Sequence, residues 1–292
     1  MDQAEGLRNV IKSQNQRNVE SARVITITSG KGGVGKSNLA VNLAVNFSKM
    51  GKKVIIFDAD FGLANVEVMF NTLPKHNLSD VIFKGHQLSD VITNGPMDIG
   101  FISAGSGIMS LNNLTEDQIH LLVRSLRQLS GLCDVIIVDT GAGISNHVMD
   151  FVISSPEILL VATPEPSSIT DSYSLMKALF LNPLYNKEFS RVSVVANKVR
   201  NDSDGDKVYE RLASVVKQFL DSNVDYAGCI PHDTSLEKAV RDQKIVSIAY
   251  PQARSSRSFS DIAAHLMNNE KAESRSFSIR TIFESFMRKQ GR

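Results

Sequence analysis

Eight consecutive residues, Gly30-Lys31-Gly32-Gly33-Val34-Gly35-Lys36-Ser37, combine the residue types that can hold a polyphosphate. Glycines let backbone N–H groups approach phosphate oxygens closely in a loop that a Cβ would obstruct. If the loop opens a helix, the unpaired N–H groups of the first turn and the positive end of the dipole strengthen the attraction. Lys36 then supplies a point charge to the β- and γ-phosphates, and the Ser37 hydroxyl can ligate magnesium. Gly32, Gly33, Val34, Gly35 and Asn38 complete the candidate cradle, with Val34 and Gly35 needing only their backbones. The apolar run Val24 to Thr28 precedes the loop and a helical period follows it, which is the context a glycine-rich match requires.

Carboxylates stand at two further strand ends. Asp139 follows the apolar run DVIIV and precedes Thr140-Gly141-Ala142-Gly143, the arrangement of a Walker B aspartate before a mobile glycine turn. Asp58-Ala59-Asp60 closes another apolar run, and alternate residues point the same way while the chain stays extended. One of this pair can hold magnesium-bound water while the other orients an attacking water. Simpler readings stay open: Asp139 can cap the next helix, and Asp58 or Asp60 can cap a loop.

The elements that position these groups alternate along the chain. Short Val/Ile-rich runs at Val24–Thr28, Lys53–Phe57, Ile99–Ser103, Asp134–Val138, Ile158–Ala162, Val192–Ala196 and Tyr226–Ile230 predict about seven strands, separated by segments of helical period. The expected fold is α/β: a three-layer, doubly wound, mostly parallel sheet of the P-loop NTPase kind. Leu39, Leu43, Phe47 and Met50 share one face of a helix that Gly51 should stop. Thr115 and Gln118 form a capping box for a helix running to about Leu129. The polar stretch 201–207 (NDSDGDK) is expected to be a solvated loop.

The whole-chain properties narrow the function classes. With 292 residues and 42% hydrophobic content, the chain can bury one generous domain, expected at 23–267, flanked by tails at 1–22 and 268–292. Lysine and arginine number 32 against 31 acids, so no overall field draws the chain to nucleic acid, which is not an expected partner. The N-terminus lacks the apolar stretch of a signal peptide and no apolar run is long enough to span a bilayer, so a cytoplasmic protein is expected. Cys133 and Cys229 lie far apart outside any CxxC and are expected to be small hydrophobes, and the six histidines lack ligand spacing.

Lys31 makes the loop particular. KGGVGKS resembles the deviant Walker A loop of the MinD/ParA group of nucleotide-binding proteins, in which this lysine reaches across a nucleotide-sandwich dimer to the partner's ATP. FDADFGLANVEVMF (57–70) and VDTGAGI (138–144) are similar to that group's two switch segments, and TPEPSSITDSY (163–173) to the segment after its fifth strand. Asn197-Lys198 and Ile230-Pro231-His232-Asp233 resemble its adenine-side motifs. The resemblance covers about residues 23 to 267. It implies that ATP and magnesium are the cofactors, that the ATP form is a homodimer, and that Lys31 and Asp60 are catalytic. It also implies that Ser37, Asp58 and Asp139 serve the magnesium shell while Asn197 and backbone near Pro231 meet the adenine.

The tails carry two more signals. Asp2-Gln3-Ala4-Glu5-Gly6-Leu7-Arg8 is similar to the N-terminal DQAxxLR motif of the FlhG (YlxH, FleN) family of MinD-like regulators of flagellar number and placement. That resemblance implies that Asp2, Gln3, Leu7 and Arg8 activate the SRP-type GTPase FlhF, and that flagellar C-ring proteins are partners. Near the other end, Ile279, Ile282, Phe283, Phe286 and Met287 follow i, i+3, i+4, i+7, i+8, an apolar stripe on an amphipathic helix. From Lys271 onward six bases outnumber two acids, for a net +4, which favours an anionic membrane surface and a reversibly peripheral location on the inner face of the cell membrane. Docking of this helix on its own domain is the other reading.

Other functions of the same loop type remain in competition. A MinD-type division-site ATPase shares the core. A ParA-type DNA-partitioning ATPase needs a basic surface for duplex DNA, which the balanced charge does not suggest. An iron–sulfur reductase lacks its cluster cysteines here, and a bacterial tyrosine kinase lacks its C-terminal tyrosine cluster, since no tyrosine follows Tyr250.

Overall fold

Valine and isoleucine crowd the strand runs on both parities, so each strand can be buried on two faces, the pattern of a parallel sheet covered by helices on both sides. A computed structural model describes residues 22–60, 65–103, 129 and 131–268. It contains β1 (Arg23–Ser29), β2 (Val54–Ala59), β3 (Thr93–Asn94), β4 (Gly100–Ser103), β5 (Val135–Ala142), β6 (Glu157–Ala162), β7 (Arg191–Val199) and β8 (Asp225–Pro231). They form one sheet in the order β3-β4-β2-β5-β1-β6-β7-β8, parallel except for the β3–β4 pair. The seven anticipated strands are present, joined by the two-residue β3.

The helices are α1 (Lys36–Lys49), α2 (Asn65–Phe70), α3 (Leu78–Lys84), α4 (Leu88–Val91), α5 (Asn146–Ile153), α6 (Pro166–Phe180), α7 (Asp202–Leu220), α8 (Thr234–Arg241), α9 (Val246–Ala249) and α10 (Arg254–Asn268). Alternate strand residues feed opposite layers. Ile25, Ile27, Ile56 and Ile137 pack with α1 residues Leu39, Leu43 and Phe47 and with Phe259 of α10. Ile55, Phe57 and Ile136 pack on the other face with Leu78, Leu88 and Leu129, and Leu160 and Val194 there meet Leu179 and Leu212 of α6 and α7. Burying a side chain of this size contributes roughly 1.5–3 kcal/mol, so the two-sided sheet is the main source of stability. At the lower edge the Arg23 guanidinium grips Glu157 through two contacts of 2.6 Å and donates to Leu266 O at 2.9 Å, tying β1, β6 and α10 together.

Gly51 ends α1 as anticipated, with φ +81° and Lys52 N–H donating to Phe47 O at 3.1 Å. The stretch 201–207 is not a loop. It opens the nineteen-residue α7, with the Asn201 side chain capping Asp204 N–H at 3.0 Å and Asp202 and Asp204 in the first turn. Its polar residues are an N-cap and dipole-matched acids, which share the composition of a turn. Cys133 is a buried free thiol, whereas Cys229 is a half-buried one. The expected helix from Thr115 lies outside the described residues except for Leu129, as do Asp2, Gln3, Leu7 and Arg8 and the stripe Ile279, Ile282, Phe283, Phe286 and Met287. Among the described residues no helix is long and apolar enough to cross a membrane.

Gly205, one turn into α7, reports on how closely this helix meets β8: a Cβ there would lie 2.6 Å from Tyr226 Oη and 2.7 Å from Cys229 Cβ. Helix propensity favours alanine over glycine by roughly 0.8–1 kcal/mol. Forced overpacking costs about 1–3 kcal/mol, so Gly205→Ala is expected to lose up to about 2 kcal/mol net. Thermal unfolding should show Tm lower by ~2–4 °C for each kcal/mol lost, and a raised Tm would mean that β8 yields to the methyl group.

Candidate functional site

The order of strands brings the carboxyl ends of β2, β5 and β1 side by side, with Asp58 in register with Asp139 and Asp139 in register with Ile27. The loop 30–35 leaves β1 here and enters α1. Gly33 (φ +74°) and Gly35 (φ +102°) take left-handed conformations that favour glycine, and a Cβ on Gly30 would collide with the backbone of Asp171. Among the described residues, no acceptor meets the N–H of Gly32, Gly33, Val34 or Gly35. Four successive unpaired donors before a helix form a concave anion site. Asn38 lies in the first turn of α1, where its carbonyl accepts from Asn42 Nδ2 at 2.8 Å.

Lys36 is 8% exposed. Burial pulls its ammonium below the ordinary value, while the Asp139 and Asp60 carboxylates oppose that pull. Asp139 lies within β5, which continues to Ala142, and α5 starts only at Asn146, so Asp139 does not cap the next helix. It is fully buried and neither carboxylate oxygen has a hydrogen-bond partner. Burial pushes it up to about 6 against the pull of the facing Ser37 hydroxyl, which falls short of hydrogen-bond geometry, and of Lys36. An orphaned buried carboxylate facing a hydroxyl fits a hydrated cation.

Asp58 is 2% exposed, and its two oxygens accept from Asp60 N–H at 3.1 Å and Val66 N–H at 3.2 Å. It therefore ties the end of β2 to the start of α2, the capping role that spacing alone left open. Burial, then Asp139, pushes it up to about 8. A Cβ on Gly141 would lie 3.6 Å from Asp60 Oδ1, so Asp60 stands beside the carboxyl end of β5. Among the described residues the three aspartates form no closed metal cage.

Two rim features extend beyond what spacing indicated. Lys31 Nζ donates to Glu165 Oε2 and Ser167 Oγ, both at 2.8 Å, at the start of α6, so the lysine is parked at the exposed edge of the loop. The hydrogen bond from Lys31, then its charge, holds the Glu165 carboxyl below its ordinary value. Asn197 and Pro231 meet at the ends of neighbouring strands, where Asn197 pairs with Ile230 and Val199 with Pro231. The Asn197 amide is already engaged: Nδ2 donates to Val34 O at 2.7 Å and Oδ1 accepts from Lys198 N–H at 2.8 Å. The segment TPEPSSITDSY held the partners of Lys31, but nothing in its spacing singled out Glu165 and Ser167.

Known proteins resemble this chain in sequence and in fold. A family model described as the CobQ/CobB/MinD/ParA nucleotide binding domain matches residues 25–246. The antiactivator FleN of Pseudomonas aeruginosa is 40% identical over 243 residues, covering 82% of this chain and 85% of FleN. The flagellum site-determining protein YlxH of Helicobacter pylori is 34% identical over 273 residues, covering 91% of this chain and 90% of YlxH. The septum site-determining protein MinD of Pyrococcus horikoshii, solved with Mg-ADP, has the same fold: TM-score 0.67 at 21% identity, covering 87% of this chain and 99% of that one.

Saturating ligand stabilises a folded protein by about 2.7 kcal/mol at a hundred times Kd, so Mg-ADP should raise Tm by roughly 5–10 °C. Asp139→Asn should keep the rise seen with ADP alone and lose the further rise that magnesium adds. An undiminished magnesium increment in that variant would remove Asp139 from the cation site.

Proposed function

Because the chain belongs to the CobQ/CobB/MinD/ParA nucleotide-binding family and is an ATPase of the MinD/ParA type, we propose that it works as an ATP-driven monomer–dimer switch regulating flagellar number and placement. The observation that carries the chemistry is the convergence, on one rim, of four unpaired loop N–H groups, the buried Lys36 ammonium and the orphaned Asp139 carboxylate. The flagellar reading rests on likeness to the YlxH and FleN relatives and on the DQAxxLR motif.

In this reading Lys36 and the loop hold the β- and γ-phosphates. Ser37, Asp139 and Asp58 serve the magnesium shell, the ion supplying charge neutralisation at the phosphates, and Asp58 also ties the end of β2 to the start of α2. Asp60 orients the attacking water. Lys31 sits at the exposed rim, where it can leave Glu165 and Ser167 for the nucleotide of a second copy facing it. Asn197 and backbone near Pro231 line the adenine side. The ATP dimer pairs two C-terminal amphipathic segments on anionic lipid, where avidity can rise about 10²–10⁴-fold because the second insertion is intramolecular. The N-terminal tail stimulates the GTPase FlhF, and C-ring proteins receive the dimer.

With ATP, Asp60→Ala is expected to elute as a dimer, since a water-orienting carboxylate matters to hydrolysis and little to binding, whereas Lys36→Gln stays monomeric. The locked dimer should float with anionic liposomes, and adding Phe283→Glu and Phe286→Glu should leave it dimeric but unfloated. A monomeric Asp60→Ala protein at saturating ATP would refute the role given to Asp60, and undiminished flotation would refute the anchor.

A peptide of residues 1–20 should raise the GTP hydrolysis rate of FlhF, and the same peptide with Gln3→Ala should not. Equal rates with and without the wild-type peptide would remove the N-terminal claim.

A further inference from the structure

Lys198 has taken no part in the chemistry above, yet its backbone is unusual for a residue inside a strand. Its φ is +58°, a left-handed value, and the β7–β8 pairing shifts register between Asn197 and Val199, so Lys198 forms a bulge that leaves the sheet. From there its Nζ reaches the loop and donates to Gly33 O at 2.9 Å. Asn197 beside it donates to the next carbonyl, Val34 O, at 2.7 Å, and its Oδ1 accepts the Lys198 N–H at 2.8 Å. The space for the Asn197 amide is the space a side chain on Gly35 would fill.

We infer that Lys198, working with Asn197, is a strap that sets the direction of the phosphate-loop peptides, which makes Lys198 a positioning residue for nucleotide binding. The argument is geometric. A trans peptide is planar, with each carbonyl opposite the following N–H. Drawing the Gly33 and Val34 carbonyls toward β7 turns the Val34 and Gly35 N–H groups to the opposite side. Those are two of the four donors that meet no acceptor among the described residues. A loop with two left-handed glycines, and open space where Gly32 and Gly33 would carry side chains, has freedom to turn these peptides either way. The strap removes that freedom before the phosphate arrives, so less ordering is left to binding. Lys198 carries backbone strain that glycine would not, and the charged hydrogen bond to the loop offsets it.

The inference rests on the nucleotide-binding reading, and one titration separates the two. Lys198→Met keeps the aliphatic stem and removes the ammonium. Lys198→Gly removes the side chain and relieves the left-handed φ. Lys198→Arg keeps a cationic donor. The full-length proteins are titrated calorimetrically with Mg-ADP, Mg-GDP and magnesium pyrophosphate, and their thermal unfolding is recorded. Met and Gly variants should bind every ligand more weakly by a common factor on the order of tenfold, the scale of one charge-assisted hydrogen bond. The ratio of ADP to GDP affinity should stay that of the wild type, and Arg should recover part of the loss. Lys198→Gly should unfold at an unchanged or higher temperature while binding less, which a purely structural role would not produce. Unaltered affinities, a loss confined to ADP, or a fall in Tm that tracks the loss in the glycine variant would each overturn the strap. A wild-type protein that binds none of the three ligands would overturn the nucleotide reading itself.

Discussion

The burial of Lys36 against carboxylates is the constraint on which the rest of the structure depends. An ammonium taken out of water costs several kcal/mol unless opposite charge stands close by. Here that charge comes from two strand ends: Asp139 of β5, and Asp60 directly after β2. Only a parallel sheet with β5 inserted between β1 and β2 brings these carboxyl ends together beside the start of α1. Asp58 and Asp139 are both raised by burial, and Asp139 keeps two unsatisfied oxygens. A buried carboxyl without partners next to four unpaired backbone donors suits a magnesium–polyphosphate complex, which brings a cation to one side and anions to the other.

The surroundings divide into rigid and movable parts accordingly. The two apolar layers hold β1, β2 and β5 with almost no exposed side chain, so the strand ends are well determined. The carboxyl end of β5 is tied to β1 by Thr140 Oγ1 to Ile27 O at 3.0 Å, and the residue after it by Gly143 N–H to Ser29 O at 2.9 Å. At the rim the contacts are exposed and polar: Lys31 on Glu165 and Ser167, and Lys198 on Gly33. An exposed ion pair contributes little to stability, so Lys31 can exchange partners at small cost. The fold thus anchors the groups proposed to bind phosphate and leaves loosely held the lysine proposed to act across a dimer.

Legibility in the sequence followed the range of the interactions involved. The loop from Gly30 to Ser37, the strand before it and the helix after it, stopped at Gly51, were readable because their causes are local: glycine dihedrals, an apolar run and a period of three to four residues. The two-sided burial of the strands was readable for the same reason, since apolar residues on both parities need two covering layers. The stretch 201–207 was misread because Asn201, Asp202, Asp204 and Gly205 have the composition of a turn. Their helix is decided by the packing of Val208, Leu212 and Val216 against the sheet and by the close approach of Gly205 to Tyr226 and Cys229.

By itself, therefore, the sequence determined the glycine-rich loop, the alternation of strands and helices, and the candidate groups: Lys36 and Ser37 where the loop enters α1, and Asp58, Asp60 and Asp139 at strand ends. Only the tertiary structure decided how each is used: that Asp58 spends its oxygens on Asp60 and Val66, that Asp139 stays unsatisfied, that Lys31 rests on Glu165, and that Lys198 and Asn197 grip the loop. These are contacts between side chains and groups that, for Lys31, Asn197 and Lys198, lie more than a hundred residues away. Local spacing carries no information about them, because the crossovers of the sheet choose which segments become neighbours.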